Sequence, residues 1–353
     1  MESVIIRTEP AYEAAVGPGL LAEAGERTAG LIRGRRALVA ADERVAELYL
    51  ERVLTSYGKA GFRAAAFTFP AGEGSKNLAW VERMLEKATE EELTRSDVFV
   101  ALGGGVTGDM TGLAAALYQR GVDFVQLPTT LLAMVDASVG GKTAVNLPAG
   151  KNLCGVFHQP RLVLCDTDTL STLDGPVLAE GMAEVIKHGA LSGGALLDRI
   201  RAGEKPATLI ADNIRFKSGI VEQDEKEHGL RQLLNFGHTF GHALEKLSGF
   251  SIYHGEGVSV GMLIASLAAE RRGLCAPGVY AELRELLAAQ GLPVTTGFPA
   301  ARVAAAAAGD KKRRGDNITL VLPEARGRCQ LRTMLAAEMG ELISCCDGEV
   351  TGL

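Results

Sequence analysis

Three of the six histidines of this 353-residue chain fall within residues 231–256, RQLLNFGHTFGHALEKLSGFSIYHGE. His238 and His242 stand four residues apart in FGHTFGHALE, so on a helix both imidazoles leave the same face. His254 follows a glycine-interrupted stretch and sits in His-Gly-Glu, where the chain can fold back. Two or three imidazoles converging with a carboxylate would hold a divalent metal such as Zn2+ and leave a position for substrate. The same spacing also suits a helix with two hydrogen-bonded histidines and a third in a loop, and spacing alone leaves both readings open.

A second constellation stands in AEVIKHG. Glu184, Lys187 and His188 occupy positions i, i+3 and i+4, so carboxylate, ammonium and imidazole can share one helix face. As an exposed pair, Glu184 and Lys187 would contribute only roughly a few tenths of a kcal/mol. Their small and apolar neighbours argue for burial, where an idle charge is costly. A third set, Lys217, Glu227, Arg231 and Asn235, leads into the histidine stretch. A fourth is the run Asp310-Lys311-Lys312-Arg313-Arg314, which fits a solvated loop as well as an anion contact. Fixed cations in that number suit a substrate bearing phosphate and carboxylate.

The first half carries different chemistry. The strand pattern DVFVAL at 97–102 runs straight into GGGVTGD, where Gly103, Gly105 and Gly108 satisfy G-x-G-x-x-G. Strand, glycine turn and helix start together form the setting of a pyrophosphate-binding turn, because glycines admit the phosphates and the helix start offers N–H groups. Gly140-Gly141-Lys142-Thr143 is similar to the tail of a P-loop but lacks the upstream glycine, which excludes a Walker-type ATPase.

The elements that must position these residues change character midway. Strand-like runs at 37–40, 63–69, 97–102, 123–127 and 161–164 alternate with helical segments. Repeated βα units predict a parallel-rich sheet with ligands at the carboxyl ends of its strands. Beyond Asp174-Gly175-Pro176 long amphipathic segments take over, at 178–191, 195–202, 206–222, 237–247, 256–272 and 279–290. The expected organisation is an α/β dinucleotide-binding domain over 1–173 and a mostly α-helical domain over 174–353. The latter would carry one short strand after the basic run and a closing helix at 333–344. Two domains also suit a chain of this length.

Bulk composition narrows the function. The chain is 47% hydrophobic and 23% charged with a formal charge of -6, which argues against a general nucleic-acid binder. No apolar run approaches the roughly 18 residues of a membrane span, and MESVIIRTEPAYEAAVG lacks the pattern of a secretory signal. Six scattered cysteines without a CxxC pair read as reduced thiols. The expectation is a cytoplasmic protein without nucleic-acid or membrane partners.

GGGVTGDM, RGVDFVQLPTTLLAMVDASVGGKTAVN, GKN, AEVIKHG, LRQLLNFGHTFGHALE and YHGEGVSVGM, in this order, resemble the 3-dehydroquinate synthase family from about residue 37 to the DKK segment near 312. The resemblance implies a phosphorus-oxygen lyase of the shikimate pathway that converts 3-deoxy-D-arabino-heptulosonate 7-phosphate to 3-dehydroquinate and phosphate. The course it implies is transient oxidation by NAD, β-elimination of phosphate, re-reduction and intramolecular aldol closure. It implies that Glu184, His238 and His254 hold Zn2+ or Co2+, with His242 turned to the substrate. It places NAD at Asp42, Glu73, Lys76, Gly104, Gly105, Val106, Gly108, Asp109, Thr129, Thr130, Asp136, Lys142, Lys151, Thr169 and Thr172. It assigns the sugar phosphate to Arg120, Lys142, Asn152, Lys187, Lys217, Arg231, Asn235 and His242, with a lysine of the 311–312 pair, Lys312. Glu227 falls at a further catalytic position, beside Lys142, Asn152, Lys187, Arg231, Asn235 and His242. A homodimer is the assembly it suggests.

One stretch departs from the family pattern. Members read LP-x-R-E ahead of AEVIK, whereas this chain reads LDGPVL, with Val177 at the position of the glutamate. Three rivals follow. A cyclase for a substrate lacking the carboxylate would differ at Asn235 and the DKK lysine, both kept here. A metal-dependent polyol dehydrogenase would not need so many fixed cations. An NAD- and metal-binding protein without catalysis has only Val177 in its favour.

Overall fold

A computed structural model describes residues 1–308 and 316–352 of the chain. Two compact units emerge: Met1–Leu173 with Ile210–Lys226, and Asp174–Leu209 with Glu227–Leu353.

Nine strands lie in the first unit: β1 (Glu2–Ile6), β2 (Tyr12–Gly17), β3 (Arg36–Asp42), β4 (Arg63–Phe69), β5 (Val98–Gly103), β6 (Asp123–Pro128), β7 (Lys142–Leu147), β8 (Gly150–Phe157) and β9 (Leu162–Asp166). Seven form one sheet in the order β1-β2-β9-β6-β5-β3-β4. Only β1 pairs antiparallel; every other neighbour is parallel. The expectation of a parallel-rich sheet is met, and the reason is visible in the strands. All six residues of β5 are buried, as a strand covered on both faces requires. Alternate residues of β3 divide between the two covers. Ala37, Val39 and Ala41 join a core with Leu20, Val53 and Tyr57, while Leu38 and Ala40 join one with Met84, Met110 and Leu113.

Strand order reverses between β3 and β5, which is where open α/β sheets form their ligand crevice. There β5 hands over to the helix Gly105–Leu117. Gly108 lets that helix lie close on β6, since a Cβ there would stand 2.7 Å from Gln126 Oε1.

The sequence pattern missed β1, β2, β7 and β8. The β7/β8 pair forms a separate antiparallel hairpin whose second strand is largely exposed, so it carries no core-facing alternation to detect.

The second unit is mostly helical, as expected. Its described helices include Gly175–Leu191, Ala195–Arg201, His238–Leu247, His254–Arg271, Val279–Ala289 and Ala300–Ala308. A hairpin of β10 (Asn317–Ala325) and β11 (Arg328–Leu335) follows. The expected closing helix at 333–344 is corrected: β11 occupies its start, because RCQLRTML pairs with β10, and the helix is Met339–Ile343. Among the described residues no helix is long and apolar enough to cross a membrane.

His254–Arg271 is the hub of this unit. Fourteen of its residues are buried, although the helix is not strongly apolar, because its small residues let neighbours approach. A Cβ on Gly261 would lie 2.0 Å from the carbonyl oxygen of Gly237, and one on Gly255 would meet Glu180 Cα at 2.6 Å. These glycine-lined crossings bring the starts of two helices, and the middle of a third, to one place.

Candidate active site

Glu184 lies midway along Gly175–Leu191 and is fully buried. His238 opens its helix after Gly237, whose φ of 79° turns the chain into the helix at a position suited to glycine. His254 opens the hub helix. Glu184 Oε1 stands 3.8 Å from Nε2 of His238 and 3.8 Å from Nε2 of His254. It accepts no hydrogen bond. One donor atom from each residue falls within 4.8 Å of the others. Tetrahedral ligands at about 2.0 Å from Zn2+ sit about 3.3 Å apart, so small side-chain adjustments would bring this set to coordination. A buried carboxylate oxygen without a donor, facing two imidazole nitrogens, fits a divalent cation.

Both rings are oriented from behind. His254 Nδ1 lies 2.8 Å from Glu245 Oε1, and His238 Nδ1 lies 3.2 Å from the carbonyl oxygen of Phe236. Donation by Nδ1–H to each acceptor leaves the Nε2 lone pairs aimed at the Glu184 side. Burial works against charged His254, but the hydrogen bond and charge of Glu245, then the charges of Glu184 and Glu180, outweigh it and raise its pKa. Glu180 accepts backbone hydrogen bonds from Gly255 and His254, and burial holds its own carboxyl above the usual range. Neither Glu245 nor Glu180 was singled out from the sequence. Glu245 had a signal, lying seven residues after His238 and so on its helix face.

His242 stands beside the trio, its ring centroid 5.5 Å from that of His238 and 6.0 Å from that of His254. An overlapping donor group of His242, Glu245 and His254 also exists. Glu245 is already engaged with the far nitrogen of His254, which makes it an orienting group. Replacing Glu245 by Gln is expected to weaken divalent-metal binding by the trio about 10-fold, read by chelator competition, with little change in thermal midpoint.

Lys187 is 1% exposed and forms an ion pair with Glu184 Oε2. Arg231, also 1% exposed, lies in the 3-10 turn Leu230–Asn235. Asn235 Nδ2 donates to Glu227 Oε1 at 2.6 Å, and Glu227 takes a left-handed φ of 59°. Lys312 lies outside the described residues.

In the first unit most residues assigned to NAD by resemblance follow the carboxyl ends of neighbouring strands. Asp42 ends β3 and caps the next helix, accepting from the N–H of Val45 at 3.0 Å. Glu73 and Lys76 follow β4. Gly104, Gly105, Val106 and Gly108 follow β5, where the leading N–H groups of a helix have no acceptor within it. Thr129 and Thr130 follow β6, and Thr169 and Thr172 lie in the turn after β9. Lys76 Nζ donates to Asp109 Oδ2 and to Asn152 Oδ1, both at 2.6 Å. Burial raises the Asp109 carboxyl above its ordinary value against the pull of Lys76. Lys217 Nζ pairs with Asp136 Oδ1 at 2.7 Å. Lys142 is exposed at the start of β7, and Lys151 and Asn152 lie on β8. Arg120 is the outlier: it is exposed, with φ 69°, in the turn that leads to the amino end of β6.

Comparison with known proteins places the fold and the family. The family pattern described as 3-dehydroquinate synthase N-terminal matches residues 66–180, and that described as 3-dehydroquinate synthase C-terminal matches residues 181–313. The 3-dehydroquinate synthase of Rhodospirillum rubrum is 44% identical over 92% of this chain and 89% of its own length. That of Synechococcus sp. is 42% identical over 93% of this chain and 94% of its own. Among solved structures, 2-deoxy-scyllo-inosose synthase complexed with carbaglucose-6-phosphate, NAD+ and Co2+ superposes with a TM-score of 0.85 at 27% identity, covering 97% of this chain and 99% of that one. The 2-epi-5-epi-valiolone synthase of Streptomyces hygroscopicus with NAD+ and Zn2+ gives 0.84 at 29% identity, covering 94% and 95%. An iron-containing alcohol dehydrogenase of Thermotoga maritima, at 14% identity and 0.63, shares the fold, covering 97% and 98%. Similarity that runs through both units and spans nearly the whole length of such relatives has one reading: the chain belongs to the 3-dehydroquinate synthase family.

Proposed function

We propose that this protein converts 3-deoxy-D-arabino-heptulosonate 7-phosphate to 3-dehydroquinate and phosphate, using NAD and a divalent metal, in the shikimate pathway. The observation that carries the proposal is the donor set of fully buried Glu184 with part-buried His238 and His254, and Lys187 paired to the same carboxylate. When bound, NAD supplies a reversible hydride acceptor and the metal, zinc or cobalt, supplies Lewis acidity toward the substrate hydroxyl.

The chain's own residues bind, orient and neutralise. Glu184, His238 and His254 would hold the metal, with Glu245 fixing the His254 ring. The turn after β5, with Asp42, Glu73, Lys76 and the threonines that follow β6 and β9, would hold the cofactor. Lys142, Asn152, Lys187, Lys217, Arg231, Asn235 and His242 would hold a substrate that carries both phosphate and carboxylate; Lys312 and Arg120 complete the proposed set. Buried cations suit that substrate because they keep their full effect on anions in a dry site. The departing phosphate has a second pKa of about 6 and is a sufficient base for the proton whose loss expels it. The protein's contribution is then chiefly to hold that phosphate against the carbon that loses its proton. A homodimer is the proposed assembly.

Incubation with the heptulosonate phosphate, NAD+ and zinc is expected to release inorganic phosphate continuously with no accumulation of NADH. Net NADH formation from a neutral diol, without phosphate release, would instead establish a polyol dehydrogenase. Metal-dependent binding without either reaction would establish a non-catalytic protein.

A further inference from the structure

We infer that Asn146 is a positioning residue, holding the stretch of β8 that presents Lys151 and Asn152 and tying it to the cofactor loop after β4. The inference rests on the function proposed above.

The hairpin register carries the first part. Val145 pairs with Cys154, yet two residues on Leu147 pairs with Gly150. Asn146 alone therefore faces Lys151, Asn152 and Leu153, and the regular ladder is lost across them. Such bulges re-aim side chains. Asn152 takes a left-handed φ of 54°, which an asparagine tolerates but needs support to keep.

The hydrogen bonds of Asn146 supply that support. Its Oδ1 accepts the backbone N–H of Asn152 at 2.8 Å, in place of the missing ladder bond. Its Nδ2 donates to Glu73 Oε1 at 2.7 Å. Its backbone N–H donates to the carbonyl of Lys76 at 2.9 Å. Lys76 then returns to the hairpin, donating to Asn152 Oδ1 at 2.6 Å. The result is a closed ring: Asn146 holds the Asn152 backbone, Lys76 holds the Asn152 side chain, and Asn146 anchors to both ends of the 73–76 loop. A primary amide suits the role because it offers an acceptor on one side and a donor on the other. Alanine offers neither, and aspartate would set a second carboxylate against Glu73.

The ring joins residues proposed for cofactor, Glu73 and Lys76, to one proposed for substrate, Asn152. Its loss should therefore weaken substrate binding more than turnover. The test uses full-length, zinc-loaded protein at saturating NAD+, with a non-reactive carbocyclic analogue of the heptulosonate phosphate as titrant. Asn146→Ala is expected to raise the analogue Kd and the substrate KM about tenfold while kcat falls less than about threefold, with zinc content unchanged. Asn146→Asp is expected to bind the analogue at least as weakly. The double variant Asn146→Asp with Glu73→Gln exchanges donor and acceptor across the contact and, at NAD+ saturating for that variant, is expected to bind the analogue at least about threefold more tightly than Asn146→Asp. Analogue affinity in Asn146→Ala within twofold of wild type would overturn the inference, as would a double variant no better than Asn146→Asp. The double variant decides the matter if Asn146→Ala does not fold. Wild-type protein that binds neither NAD+ nor the analogue would overturn the proposed function itself, and this inference with it.

Discussion

Glu184→Gln is expected to abolish zinc retention and to lower phosphate release at least about a thousandfold, the loss that follows when a site can no longer hold its catalytic ion. The variant keeps the size and shape of the side chain, so packing within the buried stretch 181–190 is preserved. It removes the negative charge that two imidazole nitrogens face at 3.8 Å. Two imidazoles with a neutral amide oxygen, a poor zinc ligand, hold Zn2+ weakly compared with two imidazoles and a carboxylate. The check is metal content after gel filtration, with wild type retaining one ion per chain and the variant close to none. Zinc bound at wild-type stoichiometry would show that the carboxylate is not a ligand. Truncation to Ala would be a poorer experiment, since it strands the Lys187 ammonium in a site with 1% exposure.

Lys187→Ala is expected to cut kcat/KM for phosphate release by about 10²–10⁴-fold while zinc stays bound, in line with loss of a fixed charge at a dry reaction centre. Metal retention separates this variant from Glu184→Gln. The two should also differ in stability. Without Lys187, metal-free protein carries Glu184 buried and stripped of its ion-pair partner, a change that costs about 3–5 kcal/mol in comparable pairs. A bound cation restores the balance of charge. The thermal midpoint of Lys187→Ala should therefore rise on zinc addition by more than that of wild type. Near-normal turnover, or equal zinc responses, would remove Lys187 from the reaction.

The parts of this architecture that the sequence displays are those whose burial writes a pattern. Strand β5 reads as a continuous apolar run because helices cover both its faces. The helices around Glu184 and the histidines read as amphipathic segments with few errors at their ends. Strands β7 and β8 do not, because mutual pairing rather than a core defines them. The end of β11 reads as the start of a helix because its alternation is blurred by half-exposed positions and only pairing with β10 fixes it. The donor set shows a different limit. Spacing brings His238 and His242 to one helix face, yet the atoms that gather around Glu184 come from His238 and His254. That choice is made by glycine-lined helix crossings invisible along the chain. Asn146 is hidden for a similar reason, since it acts through Glu73, remote in the chain, and through a bulge.

The interleaving of the two units has a consequence for synthesis on the ribosome. Residues 210–226 belong with the first unit, so that unit cannot close until the chain has been extended well past Glu184. His254 follows Glu184 by 70 residues. At about 5–20 residues per second the nascent glutamate and its lysine wait about 4–14 s before the later imidazole exists. Through that interval Glu184, fully buried in the folded chain, has no His254 to face. Metal capture by a set that needs both Glu184 and His254 would therefore be a late event rather than a nucleus around which the chain collapses.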